Sequence, residues 1–146
     1  MERMKKDEKS CGAIILRRTA NGSKEVLLIK HYFSENWGFP KGHMKENERE
    51  EETAIREVLE ETRISIDITH DFRAEVFYRC GFETKKKVVF FLATNASKPV
   101  SEGVDHRVER VAWVNVKRAC DKLNFQNDRD ILFDAIEYLK KCKELF

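Results

Sequence analysis

Three glutamates, Glu57, Glu60 and Glu61, stand at positions i, i+3 and i+4, a spacing that puts all three carboxylates on one face of a helix and within reach of a common point. Like charges gathered this way are unfavourable in isolation, and a bound divalent cation reverses the sign. Oxygen-only ligation of this type suits Mg²⁺ or Mn²⁺ better than zinc. The same triplet is also what a solvated acidic helix face looks like. The residues around it must decide between the two readings.

The element that positions the triplet is a helix expected over Glu48 to Thr62, with Ala54, Ile55, Val58 and Leu59 as its apolar stripe and acidic residues at its N-terminal turn, where the helix dipole favours them. Before it, Cys11 to Leu16 and Glu25 to His31 are short apolar runs flanking the turn signal Asn21-Gly22, an expected antiparallel pair of strands. Between that pair and the helix, Ser34 to His43 holds Trp37, Gly38, Pro40 and Gly42, a composition that predicts a tightly shaped loop and no regular strand. After the helix, Phe72 to Tyr78 and Val88 to Thr94 read as strands, Ala93 to Glu109 as mostly loop, and Arg110 to Val116 as a strand around Trp113. The chain closes in a helix clearest from Asp128 to Lys143, where Ile131, Leu132, Ala135, Ile136 and Leu139 recur at helical spacing. Strands with one helix inserted after the second and another at the end indicate a mixed α/β fold, not a regular βαβ array.

A chain of 146 residues suits one domain. A charged leader is expected over residues 1–8 and a single domain over 9–146. The net charge of +2 gives no global signature of a protein that coats nucleic acid or an anionic membrane. The leader lacks the apolar stretch of a signal peptide, and no segment approaches a membrane span. A cytoplasmic location is the expectation, resting only on missing signals. Cys11, Cys80, Cys120 and Cys142 include no Cys-x-x-Cys pair, which argues against a zinc ribbon or a thioredoxin-type motif and reads as reduced, mostly structural thiols.

The register around the glutamates is Gly42, five residues, Glu48, seven residues, then Arg56-Glu57-Val58-Leu59-Glu60-Glu61-Thr62-Arg63-Ile64. This resembles the Nudix box, Gly-x5-Glu-x7-Arg-Glu-U-x-Glu-Glu-x-Gly-U, where U is a bulky aliphatic residue. Six polar or glycine identities and two aliphatic positions agree. At residue frequencies near ~5–10%, six fixed identities coincide by chance at roughly one in a million starting points. Arg63 stands in place of the final glycine, where the helix should end in a left-handed residue; a side chain there costs on the order of 1 kcal/mol and removes no ligand. Asn47 takes the place of a common glycine before Glu48, the first Glu of the box, and asparagine tolerates left-handed geometry.

The resemblance, which covers nearly the whole chain, implies a Nudix-type α/β/α sandwich with a mixed central sheet, and a hydrolase of phosphoric anhydrides. It implies that Glu57, Glu60 and Glu61 bind Mg²⁺, for which Mn²⁺ substitutes, with the Gly42 carbonyl as a further ligand. It also implies that Arg56 holds the carboxylates in place through Glu48, and that a water attacks phosphorus. Glu60 is the first choice of general base and Glu57 the second. A carboxylate outside the box often completes the site in relatives, and Glu109 or Asp105 could supply it.

Beyond the box, Trp37 to His43, Gly12 to Arg18 and Lys87 to Ala93 are similar to stretches of the asymmetrical diadenosine tetraphosphate hydrolases. Hydrolysis of dinucleoside tetraphosphates to a nucleoside triphosphate and a monophosphate is therefore the first functional expectation. Such a substrate needs cations along its phosphates, and Lys41, His43 and Lys86 are the expected contacts. Its base needs a flat apolar partner, for which Tyr78, Phe82, Phe90 and Phe125 are the stacking candidates. Each lysine alone also reads as a surface residue, and each aromatic as core. Other readings stay open: removal of pyrophosphate from triphosphorylated RNA 5′ ends, with the run Lys85-Lys86-Lys87 meeting the nucleic-acid backbone; diphosphoinositol polyphosphates, for which a more basic groove is expected; and a nucleotide-sensing domain without turnover, against which the intact Glu57, Glu60 and Glu61 speak. The partner expected under the first reading is a small nucleotide, with no membrane and RNA only under the alternative; the oligomeric state is open.

Overall fold

The computed structural model describes residues 8–80, 84–100 and 105–143. The expected leader lies outside these residues except for Glu8, the first residue of β1 (Glu8–Arg18). The chain continues through β2 (Lys24–His31), β3 (Trp37–Gly38), β4 (Lys41–His43), α1 (Glu50–Thr62), β5 (Arg73–Cys80), β6 (Thr84–Ala93), β7 (Val108–Asn115), α2 (Val116–Lys122) and α3 (Gln126–Lys141). The sheet runs β3-β2-β1-β6-β5, with β4 also on β1 and β7 also on β2. It is mixed: β1 is parallel to β6, from Glu8 opposite Lys86 to Ile15 opposite Ala93, while the other pairs are antiparallel.

The runs of β1 and β6 are apolar at successive positions because both faces of these strands are covered. On one face Ile14, Leu16, Val88, Phe90 and Leu92 pack with Ile131, Leu132, Ala135 and Leu139 of α3. On the other, Ala13 and Ile15 meet Val58 of α1, and Cys11, Val89 and Phe91 meet Ala54. Helices on both sides of a mixed sheet make the α/β/α sandwich that the box implied.

The segment read as irregular loop, Ser34 to His43, instead contains two short strands, for a tertiary reason. The β1–β2 ladder covers only Leu16 to Arg18 against Lys24 to Val26. Beyond it, Trp37 and Gly38 pair with β2 at Lys30 and Ile29, and Lys41 to His43 pair with β1 at Gly12 to Ser10. The segment thus fills the gap where the two strands part. Gly12 is required at this seam, since a Cβ there would stand 2.2 Å from the Pro40 carbonyl oxygen.

Helix α1 starts at Glu50, not at Glu48, because Arg49 is its extended N-cap and the Glu52 side chain accepts from the Arg49 N–H at 2.8 Å. It ends at Arg63, with φ 64° in the left-handed region, and Asn47 likewise has φ 68°. The helical C-terminus begins earlier than expected, with α2 capped by the Asn115 side chain, which accepts from the Lys117 N–H at 2.9 Å. Cys11 is buried, and burial pushes its thiol up to about 11. Cys120 and Cys142 are exposed, so they have no packing role of the kind expected for the thiols. Among the described residues no helix is long and apolar enough to cross a membrane.

Candidate active site

The box residues meet where α1 lies against β4. Arg56 is the hub. Its Nε donates to Glu48 Oε2 at 2.6 Å and its Nη2 to Glu48 Oε1 at 2.9 Å and to the His43 carbonyl at 3.0 Å. Its Nη1 donates to Glu57 Oε2 at 2.9 Å and to Glu60 Oε2 at 3.3 Å. One guanidinium therefore ties the loop carboxylate to two helix carboxylates, which a lysine, with no planar fork, could not do. These hydrogen bonds hold the Glu48 carboxyl at about 2, well below the usual carboxylate range.

Glu57 is only 5% exposed. Burial pushes its pKa up, and the Arg56 guanidinium opposes the shift. Its Oε1 is buried and has no hydrogen-bond partner among the described residues. Gly42 makes this placement possible, because a Cβ at that position would fall 2.0 Å from Glu57 Cδ and 2.1 Å from Oε1. Glu61 is also buried; its Oε1 accepts from the Lys41 N–H at 2.9 Å and its Oε2 lies 3.0 Å from His31 Nε2. Glu60 is the accessible member, with its side chain 42% exposed.

In this arrangement no three His, Cys, Asp or Glu side chains among the described residues converge as a ligand set. Arg56 Nη1 stands between Glu57 and Glu60, and Glu61 is turned toward His31 and Lys41. The donor chemistry nevertheless fits a hard divalent cation: all oxygen, with one buried carboxylate oxygen lacking a partner, an atom costly to leave unsatisfied.

The two carboxylates considered outside the box are placed differently. Asp105 shares a surface depression with Glu60 and Arg63, and the Arg107 guanidinium, 2.8 Å from its Oδ2, holds its carboxyl below the usual range. Glu109 is drawn away to Lys30, whose Nζ lies 2.5 Å from its Oε1, and the structure does not bring it to the α1 glutamates.

Five of the expected substrate contacts converge. Lys41, Lys86, Tyr78, Phe90 and Phe125 line one cleft of about 230 Å³ between β3, β6 and α3. Phe90 forms its floor and offers no open ring face: it is 1% exposed and packs edge-on against Phe39, 5.4 Å between centroids. Tyr78 and Phe125 form an edge-to-face pair at 6.1 Å at the rim, and Phe125 is 45% exposed. Burial, then Lys86, lowers the pKa of Lys41. A second depression, of about 450 Å³, shares His31, Lys41 and Lys86 with the first and adds Gly42, His43 and Glu61. Phe82 lies outside the described residues. The lysine run does not act as one strip, since Lys87 lies 3.3 Å from Glu75 on the opposite face of β6 from Lys86.

Sequence reasoning missed three residues. His31 reaches Glu61 and lines both depressions. Asp128, 4% exposed at the start of α3, accepts from the Tyr78 hydroxyl inside the cleft. The Trp37 ring lies in the cleft wall with Lys122 Nζ 4.9 Å from its centroid. Trp37 was visible in its loop, but nothing local distinguishes His31 or Asp128 from surface residues.

A family model described as the NUDIX domain matches residues 9–135. Asymmetrical bis(5′-nucleosyl)-tetraphosphatase of Sus scrofa is 29% identical over 140 residues, covering 90% of this chain and 95% of the relative. Its namesake in Caenorhabditis elegans is 29% identical over 114 residues, covering 76% and 81%. Among solved structures, a binary complex of a C. elegans Ap4A hydrolase aligns with a TM-score of 0.78 at 26% identity, covering 92% of this chain and 98% of that one.

Proposed function

Because the chain belongs to the Nudix family and is a Nudix hydrolase, we propose that it cleaves dinucleoside tetraphosphates, diadenosine tetraphosphate among them, to a nucleoside triphosphate and a monophosphate, with Mg²⁺ as its metal. The observation that carries this reading is the sharing of Lys41 and Lys86 between the aromatic cleft and the depression holding Gly42 and Glu61. A base seated against Tyr78 and Phe125 would leave its phosphates along two ammonium groups leading to the α1 carboxylates. The tetraphosphatases of matching length supply the same substrate class by likeness.

Glu57, Glu60 and Glu61 would hold the metal, with the Gly42 carbonyl as a further oxygen donor. Nudix hydrolases in general use divalent metals, and such an ion supplies polarisation of a phosphate oxygen and a lowered pKa for bound water. Arg56, anchored by Glu48, keeps Glu57 and Glu60 oriented. Glu60 accepts the proton of the attacking water as its oxygen bonds to phosphorus and the anhydride P–O bond breaks. The departing phosphate chain keeps the bond electrons, and its charge is met by Lys41 and Lys86. The split lysine run favours this small-molecule reading over RNA, because Lys87 is engaged by Glu75.

Product analysis by ion-exchange chromatography after incubation with diadenosine tetraphosphate and Mg²⁺ tests the proposal. ATP plus AMP is expected from the protein, with a Glu60→Gln variant slower by about 10²–10⁴-fold, the usual contribution of a general base. No product with any divalent metal would overturn it and direct attention to triphosphorylated RNA. Nucleotide binding that persists without turnover in the protein itself would indicate a sensor.

A further inference from the structure

The turn after β2 carries an anomaly that the proposed reaction does not yet use. Phe33 is 105% exposed and Tyr32 51% exposed, an adjacent aromatic pair with centroids 6.3 Å apart. Phe33 has φ 63°, a backbone conformation at which a bulky side chain costs on the order of 1 kcal/mol. The turn is closed by the Ser34 N–H donating to the His31 carbonyl at 3.3 Å, which makes Phe33 its third residue, a position with positive φ where glycine is the usual choice. Tyr32 is fixed on the other side, its N–H donating to the Arg107 carbonyl at 3.0 Å. A large apolar ring, wholly in water and on a strained backbone, gains nothing for folding from either property. Such outliers concentrate where a ligand uses them.

Its place indicates the ligand. Phe33 and Tyr32 line the depression that holds Gly42 and Glu61 and shares Lys41 and Lys86 with the first cleft. Tyr78 and Phe125 line that first cleft. Two aromatic pairs thus flank one pair of ammonium groups and the box carboxylates. A mononucleotide has one base for two such pairs, whereas a dinucleoside polyphosphate has two bases joined by the anionic chain that the lysines suit.

We propose that Phe33, backed by Tyr32, is the stacking platform for the second base of a dinucleoside polyphosphate, the base remote from Tyr78 and Phe125. This rests on the substrate reading above. Stacking places no demand on the edge of the base, so this subsite should accept any purine at the second position.

The test compares diadenosine tetraphosphate with adenosine 5′-tetraphosphate, which has the same phosphate number and a single base, in the protein and in Phe33→Ala, Phe33→Trp and Phe33→Gly variants. The ratio of kcat/KM for the two compounds should fall about tenfold in Phe33→Ala, the scale of one lost base–aromatic stack. It should recover in Phe33→Trp and stay low in Phe33→Gly, which relieves the backbone strain without restoring a ring. A ratio unchanged by Phe33→Ala, or equal losses on both compounds, overturns the platform. Absence of turnover in the protein itself would be the failure of the substrate reading, and equilibrium dialysis of the same two nucleotides then decides this one. An affinity loss in Phe33→Ala confined to the two-base compound supports the platform, and equal affinities overturn it.

Discussion

The acidic face of α1 and the aromatic cleft adjoin across Lys41 but are held by opposite means. On α1, one residue, Arg56, makes contacts to Glu48, Glu57, Glu60 and the His43 carbonyl, all of them charge-assisted, and a single glycine makes room for the least exposed carboxylate contacting it. The cleft has no hub. Its walls come from β3, β5, β6 and the start of α3, and the Tyr78–Asp128 contact ties only two of them, β5 and α3. The difference teaches where each region is vulnerable: the first to a single lost atom or added methyl, the second to the packing of elements far apart in sequence.

The sharpest way to break that contrast is Gly42→Ala. A methyl 2.0 Å from Glu57 Cδ must displace that carboxylate. We expect a destabilisation of about 1–3 kcal/mol from overpacking and a fall in turnover of about a hundredfold from misplacement, read by thermal melting and by steady-state rates on the same preparation. Turnover at the normal level would separate Glu57 from the reaction.

Tyr78→Phe probes the cleft. It removes the hydroxyl that donates to buried Asp128 and should cost about 1–2 kcal/mol. The loss has a pH signature. Burial raises the Asp128 pKa above the ordinary 3.8 and the Tyr78 hydroxyl lowers it, so losing Tyr78 raises it further. A carboxyl with a raised folded pKa disfavours the folded state as pH climbs above its unfolded value. The deficit of the variant should therefore be largest at neutral pH and shrink as pH falls through the two raised folded pKa values, the variant's and then the wild type's, both above the ordinary Asp range. Urea midpoints measured at several pH values check this, and a deficit independent of pH would place the lost contact elsewhere.

The smallest effect belongs to Arg63→Gly, which touches the end of α1 without touching a carboxylate. Relief of the left-handed strain at φ 64° should stabilise the protein by up to about 1 kcal/mol, a rise in melting midpoint of about 2–4 °C for a chain of this size. A lowered midpoint would mean that the Arg63 contact to the Glu60 carbonyl at 3.4 Å outweighs the strain.

The contrast between the regions also explains what could be read from the chain. The α1 glutamates, Arg56, Glu48 and Gly42 lie within one helix and its preceding loop, so their relation is fixed by local periodicity and visible as spacing. Arg63 and Asn47 were legible for the same reason, as the left-handed positions flanking a helix. The continuous apolar runs of β1 and β6 were legible as strands, while the cover on both their faces comes from helices placed by the fold. The cleft was legible only in its residue types. That Phe90 would be its floor, that Asp128 would be buried in it, and that Glu109 would turn to Lys30 depend on contacts between elements distant in sequence. The two short strands at Trp37 and Lys41 likewise arise only because β1 and β2 part.

The position of β5 has a consequence for the behaviour of the protein in concentrated solution. Among the described residues β5 pairs with no strand but β6, so its other edge is where a second chain could extend the sheet. Its outward positions are Arg73, Glu75, Phe77 and Arg79. Three of the four are charged, and Arg73 and Glu75 are already committed to ion pairs with Glu50, Lys87 and each other. Any chain adding to this edge must desolvate those charges or break their pairs, a standard protection against edge-to-edge aggregation. Phe77, 52% exposed, is the uncharged member of the four, and there the edge is guarded by other means: its carbonyl accepts from the Asn127 side-chain amide of α3 at 3.1 Å, a bond that an incoming strand would have to displace.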